Sequence, residues 1–279
     1  MDADGKTQPL LDKPGIFVNP RLSPDGERLA VADISFANGG IWIYDLRRET
    51  LARLTTGEGY SPAPVWSPDG NYVVFRGLEG IFWTRADGGG KPQLLVPSHE
   101  SVFPSSFSPD GKRLAFHQSG PQRWNLWTVA VERGPNGLTA GKPEPFLQTS
   151  FEELDASFSS DGRWLAYSSN ESGNLQVYVR AFPDKGGRWQ ISSDGGTSPI
   201  FSRNGKELFF YNTSEDRIMV VSYSGVRLGN WLTAEEARRF WQSPAQTHSK
   251  ESGTVRFSPC CWVADSAAAN WLIWTSRIL

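Results

Sequence analysis

Several residue groups in this sequence are of types that can do chemistry. Glu152, Glu153 and Asp155 bring three carboxylates close together, and paired carboxylates can act as acid and base in cleaving a glycan. Gly88-Gly89-Gly90-Lys91 has the composition of a phosphate cradle but lacks the Walker spacing, so it reads as a plain turn. The histidines are His99, His117 and His248. None stands in an H-x-x-x-H or H-E-x-x-H arrangement, so they read as loop or surface residues and no metal site is expected. Cys260 and Cys261 are adjacent; neighbouring cysteines rarely make an unstrained disulfide, and they read as reduced packing residues. Neither a kinase Gly-rich loop, His-Arg-Asp loop or Asp-Phe-Gly, nor the G-x-S-x-G elbow of α/β-hydrolases, is present. The expectation is a chain that is not an enzyme and uses no cofactor. The alternative is a hydrolase or lyase that acts on glycan or peptide through its carboxylates.

Composition narrows the partners. The 28 basic and 30 acidic residues leave a net charge of −2, which gives no electrostatic footprint for nucleic acid. No apolar run approaches the roughly 20 residues that cross a bilayer, and the first residues lack the pattern of a signal peptide. With 38% hydrophobic residues, 12 Trp and 16 Phe among them, the chain can bury a substantial core.

What must position any site is a repeat. Leu22-Ser23-Pro24-Asp25-Gly26, Trp66-Ser67-Pro68-Asp69-Gly70 and Phe107-Ser108-Pro109-Asp110-Gly111 share one pattern, and Phe158-Ser159-Ser160-Asp161-Gly162 and Phe201-Ser202-Arg203-Asn204-Gly205 are worn copies. Proline presets the turn, and glycine takes a backbone conformation that a side chain resists. Alternating runs follow each turn, such as Arg28-Leu29-Ala30-Val31 and Trp164-Leu165-Ala166-Tyr167, so each motif joins two strands of a hairpin. A third strand (Ile41–Tyr44, Leu126–Val129) and a fourth (Ala52–Thr55, Trp189–Ser192) complete each unit. Four strands per roughly 40–50 residues, with no helix between, is the signature of propeller blades.

The expected fold is all-β: one six-bladed β-propeller of four-stranded antiparallel blades over residues 1–279, five of them clear. The sixth would be closed by both termini. Residues 1–12 would lend its outer strand and the degenerate repeat 225–279 the remainder, with Phe257-Ser258-Pro259 as its decayed anchor.

At the anchors the chain resembles the TolB-type, WD-repeat-like propellers that carry x-S-P-D-G-x-x-[LI]-[AV]-[FY]. The phrase Asp161 to Gly173, with Val177-Tyr178-Val179-Arg180-Ala181-Phe182-Pro183, is similar to the propeller C-terminal to bacterial membrane-linked serine/threonine protein kinases. That resemblance implies a sensor or interaction domain in signalling. It would be periplasmic if joined to such a kinase and cytoplasmic otherwise.

In a propeller the turns lie on one face, and the loops that enter each inner strand converge around the channel on the other. The channel-face candidates are Asn19, Arg21, Tyr60, His99, Glu100, Arg123, Glu153, Asp155 and Ser198. Their mixed signs suit a polar partner segment. The expected role is a monomer that binds a protein or peptide there, without nucleic acid and without inserting into a membrane.

Overall fold

Each repeated turn is one hydrogen-bonded unit. In the first, Gly26 N donates to Ser23 O (2.8 Å) and Ser23 Oγ donates to Asp25 Oδ1 (2.5 Å). Ser23 Oγ accepts from Arg28 N (2.9 Å), and Asp25 Oδ1 accepts from Glu27 N (3.0 Å). The same four bonds recur in the turns that begin at Ser67, Ser108, Ser159 and Ser202. The five glycines sit at φ between +67° and +76°, where a Cβ is penalised. The second position makes none of these bonds, so Ser160 and Arg203 can replace proline there. Asn204 can replace aspartate because only an acceptor oxygen is used.

The structure, a computed structural model, describes residues 16–34, 39–55, 61–121, 123–184 and 186–223. Its strands form five antiparallel sheets in chain order. The first blade is β1 (Phe17–Leu22), β2 (Arg28–Asp33), β3 (Gly40–Asp45) and β4 (Thr50–Arg53), and the second β5 (Ser61–Trp66), β6 (Tyr72–Gly77), β7 (Gly80–Arg85) and β8 (Gln93–Pro97). The third is β9 (Val102–Phe107), β10 (Arg113–Ser119), β11 (Trp124–Gly134), β12 (Gly137–Ala140) and β13 (Glu144–Leu147). The fourth is β14 (Glu153–Phe158), β15 (Trp164–Ser169), β16 (Gln176–Ala181) and β17 (Arg188–Gln190). The fifth shows β18 (Thr197–Phe201), β19 (Glu207–Asn212) and β20 (Arg217–Ser222).

The core lies between blades, because second and third strands are covered on both faces. Val74, Ile81 and Trp83 of the second blade meet Val102, Leu114 and Phe116 of the third, and Ala166, Val177 and Val179 of the fourth meet Phe201, Leu208 and Phe210 of the fifth. Full burial of such side chains stabilises by about 1.5–3 kcal/mol each.

Two features go beyond the reading from sequence. The described residues make five blades, not six. The turn of the fifth reaches the turn of the first directly: Arg203 Nη2 donates to Ser23 O (2.5 Å) and Leu22 O (3.4 Å). The turn ring is thus bridged by one side chain, and the segments assigned to a sixth blade, 1–12 and 225–279, lie outside the described residues, as do His248, Cys260 and Cys261. The third blade, moreover, is not a plain four-stranded unit. The first half of β11 pairs with β13 and its second half with β12, in a hairpin that leans over the second blade. Leu138 enters the core shared by those blades, and a Cβ on Gly137 (φ +115°) would stand only 1.9 Å from Trp83 Cη2.

Candidate functional site

The channel mouth is built on a bulge repeated at one level. Four residues before each turn serine stand Asn19, Ala63, Pro104, Asp155 and Ser198, and a bulge interrupts the pairing of every inner strand there. Asn19, Asp155 and Ser198 take φ of +51°, +54° and +53°, and Ala63 +139°. Pro104, whose ring locks φ negative, is the exception. Left-handed backbone is tolerated by Asn and Asp and costs other residues more. Ser198 Oγ lies 3.5 Å from Asp155 Oδ2, which links adjacent blades across the ring.

The structure places the other candidates at varied depths. Arg21 is half-buried, with Nη1 3.4 Å from Pro20 O, and its carbonyl accepts from Trp66 Nε1 (2.8 Å). His99 and Glu100 are exposed in the loop between β8 and β9, where Glu100 N donates to Ser98 Oγ (3.1 Å). Arg123 lies between β10 and β11 and ties that loop to the fourth blade through Ser150 O (2.8 Å) and Glu152 Oε1 (3.7 Å). Tyr60 lies outside the described residues.

Glu153 is in the wall rather than the channel, at 1% exposure. Thr149 Oγ1 donates to its Oε1, while Oε2 has no hydrogen-bond partner. Burial pushes its carboxyl up to about 7; the Thr149 bonds oppose this, and the charges of Glu171 and Glu152 add to it.

Sequence reading missed an aromatic patch. Phe103, half-buried on β9, stacks with His117 on β10 (centroids 5.2 Å apart), and Trp124 meets both edge-on at 5.6 and 5.4 Å. The Arg76 guanidinium of the second blade lies 4.4 Å over the Phe103 ring. His117 Nδ1 is 3.3 Å from Ser105 Oγ. Burial pushes the His117 imidazole down, against the pull of Asp155. The signal was available in the repeat: nine residues after each turn serine stand Ala32, Arg76, His117, Ser168 and Tyr211, a position that changes character in every blade.

Three exposed apolar side chains lie at the same end, away from the turns. They are Ile34 after β2 (45% exposed), Leu78 in the β6–β7 turn (81%) and Phe151 before β14 (37%). The face is therefore not only polar, as the sequence had suggested. Among the described residues no cluster of three His, Cys, Asp or Glu side chains could hold a metal.

No protein-family model matches the chain. It is 25% identical over 191 residues to the uncharacterized peptidase YuxL of Bacillus subtilis, covering 54% of this chain and 29% of that protein. It is 32% identical over 115 residues to a TolB homolog of Chlorobium luteolum, covering 40% and 26%. The chain thus spans under a third of these relatives' length. Among solved structures, TolB from Acinetobacter baumannii superposes with a TM-score of 0.64 at 21% identity, over 79% of this chain and 55% of that one. The fold is a TolB-like β-propeller.

Proposed function

We propose that this propeller is a non-catalytic, monomeric module that holds a segment of another protein on its channel face. The observation that carries the reading is that Ile34, Leu78 and Phe151 are each exposed on the same face as the patch of Phe103, His117, Trp124 and Arg76. Exposed apolar groups beside aromatic and arginine side chains are the composition of protein-binding surfaces. The fitting occupant presents apolar side chains to the rim and an acidic group near Arg76. A photo-crosslinking residue at position 78 should capture a partner, whereas one at Leu94, on an outer strand, should not. Trp124→Ala should weaken that partner's binding about tenfold, as loss of an aromatic anchor does. Equal capture from positions 78 and 94 would sink the reading.

The finer reading, a sensor domain of a bacterial signalling kinase, rests on the phrase from Asp161 to Pro183. Its test is whether occupancy of the channel face changes phosphorylation by a kinase domain joined to it. The peptidase-named relative favours a second reading, in which the propeller controls access to a peptidase domain elsewhere in a longer chain. Both readings leave this chain without turnover. Glu153, the carboxylate whose proton would suit acid catalysis near pH 7, is too buried to meet a substrate. Peptide or glycan hydrolysis by the purified chain that Asp155→Asn abolishes would overturn both.

A further inference from the structure

On the turn face, opposite the channel mouth, a cavity of about 140 Å³ opens among Arg28, Tyr72, Arg85, Asp87 and Arg133. Its three guanidiniums come from three consecutive blades: Arg28 from β2, Arg85 from the end of β7 and Arg133 from the β11–β12 hairpin. That hairpin is the largest departure from the repeat among the described residues. Its extra length is what brings Arg133 to the second blade.

Each guanidinium is held in place from behind. Arg28 lies 4.8 Å over the Trp66 ring and donates to Gly70 O through Nη2 (3.0 Å). Arg133 lies 5.5 Å over the Tyr72 ring and pairs with Asp69 through Nη1. Arg85 pairs with Asp87 through Nε and Nη2. Each has five N–H donors, so these bonds engage only part of each group. The opposing carboxylates are divided: Asp25 and Asp69 each give Oδ1 to the serine and amide of their own turn and present only Oδ2 to Arg28 (3.6 Å) and to Arg133. Of the groups that line the cavity, only Asp87 is negative against three arginines.

We propose that Arg28, Arg85 and Arg133 form a binding site for a phosphoryl-type dianion. Three guanidiniums approaching from different blades match a group with several oxygens and two charges better than a planar monocarboxylate, and arginine is the side chain suited to such recognition. The site is independent of what occupies the channel face.

Calorimetric titration with inorganic phosphate, against acetate at equal ionic strength, tests it. Phosphate should bind saturably and acetate should not, and bound phosphate should raise the melting temperature by mass action. Arg133→Ala should weaken binding at least about tenfold, the loss of a charge-assisted hydrogen bond. Asp87→Asn, which removes the competing carboxylate, should tighten it a few-fold, and this variant reports even if Arg133→Ala folds poorly. Trp124→Ala, on the other face, should leave it unchanged. Phenyl phosphate binding as well as phosphate would indicate an esterified phosphoryl group as the ligand, and weaker binding the free ion; either supports the site. Phosphate binding no better than acetate, or unaltered by both Arg133→Ala and Asp87→Asn, overturns it.

Discussion

The two faces of the propeller treat carboxylates in opposite ways. On the turn face, the Ser108 hydroxyl and the Lys112 amide hold Asp110 below the usual carboxylate range. Burial pushes Asp25 and Asp69 up, but the equivalent hydrogen bonds outweigh it and both end lower. At the channel end, burial wins at Glu153, and one of its oxygens is left without a partner. The turn motif repeats one satisfied arrangement five times, so its serine, acceptor and glycine serve stability. The channel face differs from blade to blade and leaves polar and apolar groups unmatched, which is where a binding surface can arise.

The largest test of this contrast is pH. Glu153 rises from an ordinary 4.5 to about 7 on folding, so between those values the folded state binds the extra proton and stability falls as pH rises. The contribution is fully present below pH 4.5 and lost as pH passes 7, about 3 kcal/mol in all. Denaturation midpoints across that window should show the decline, and Glu153→Gln should flatten it. A Glu153→Gln protein with the same slope would place the titration elsewhere.

Next comes the turn serine. Ser159→Ala removes the donor to Asp161 and strands the Trp164 amide in a buried site, which should cost about 2 kcal/mol. Asp110→Asn should cost clearly less, because Asn204 already fills that role in the fifth turn. Urea titrations that ranked the two the other way would show that charge, not the acceptor oxygen, holds the turn. Gly70→Val should then cost about 1–2 kcal/mol through its φ of +69°, and Gly89→Ala, without positive φ, should cost less. The smallest effect belongs to the channel rim. Leu78→Asp should change stability by no more than about 0.5 kcal/mol while weakening capture of the partner, and a large drop in melting temperature would make Leu78 a structural residue.

The blades were legible because the turn motif states its own hydrogen bonds: Ser and Gly are the residues their positions require, and the position between needs an acceptor oxygen that Asp or Asn supplies. Proline looked as diagnostic as the rest, yet it makes none of the bonds. The β11–β12 hairpin was illegible because Gly137 and Leu138 matter only through contacts with the neighbouring blade. Asn19, Asp155 and Ser198 could be placed at one level by counting back from the turn. Glu153 could not, since strand alternation puts it on the same side as Asp155 and the bulge between them breaks that alternation. His117 read as a surface residue, because nothing local shows the stacking partners that Phe103 and Trp124 supply.

The β11–β12 hairpin also bears on how the molecule breathes. In a repeat array each unit couples mainly to its neighbours, and local opening follows the weakest junction. A strap from the third blade, seated by Leu138 and closed against Trp83 at Gly137, adds packing at the junction of the second and third blades that the repeat itself does not supply. Hydrogen exchange should therefore find the amides of β6, β7, β10 and β11 sharing one opening free energy, a cooperative unit two blades wide. The remaining blades should open separately, and Gly137→Val should split the pair.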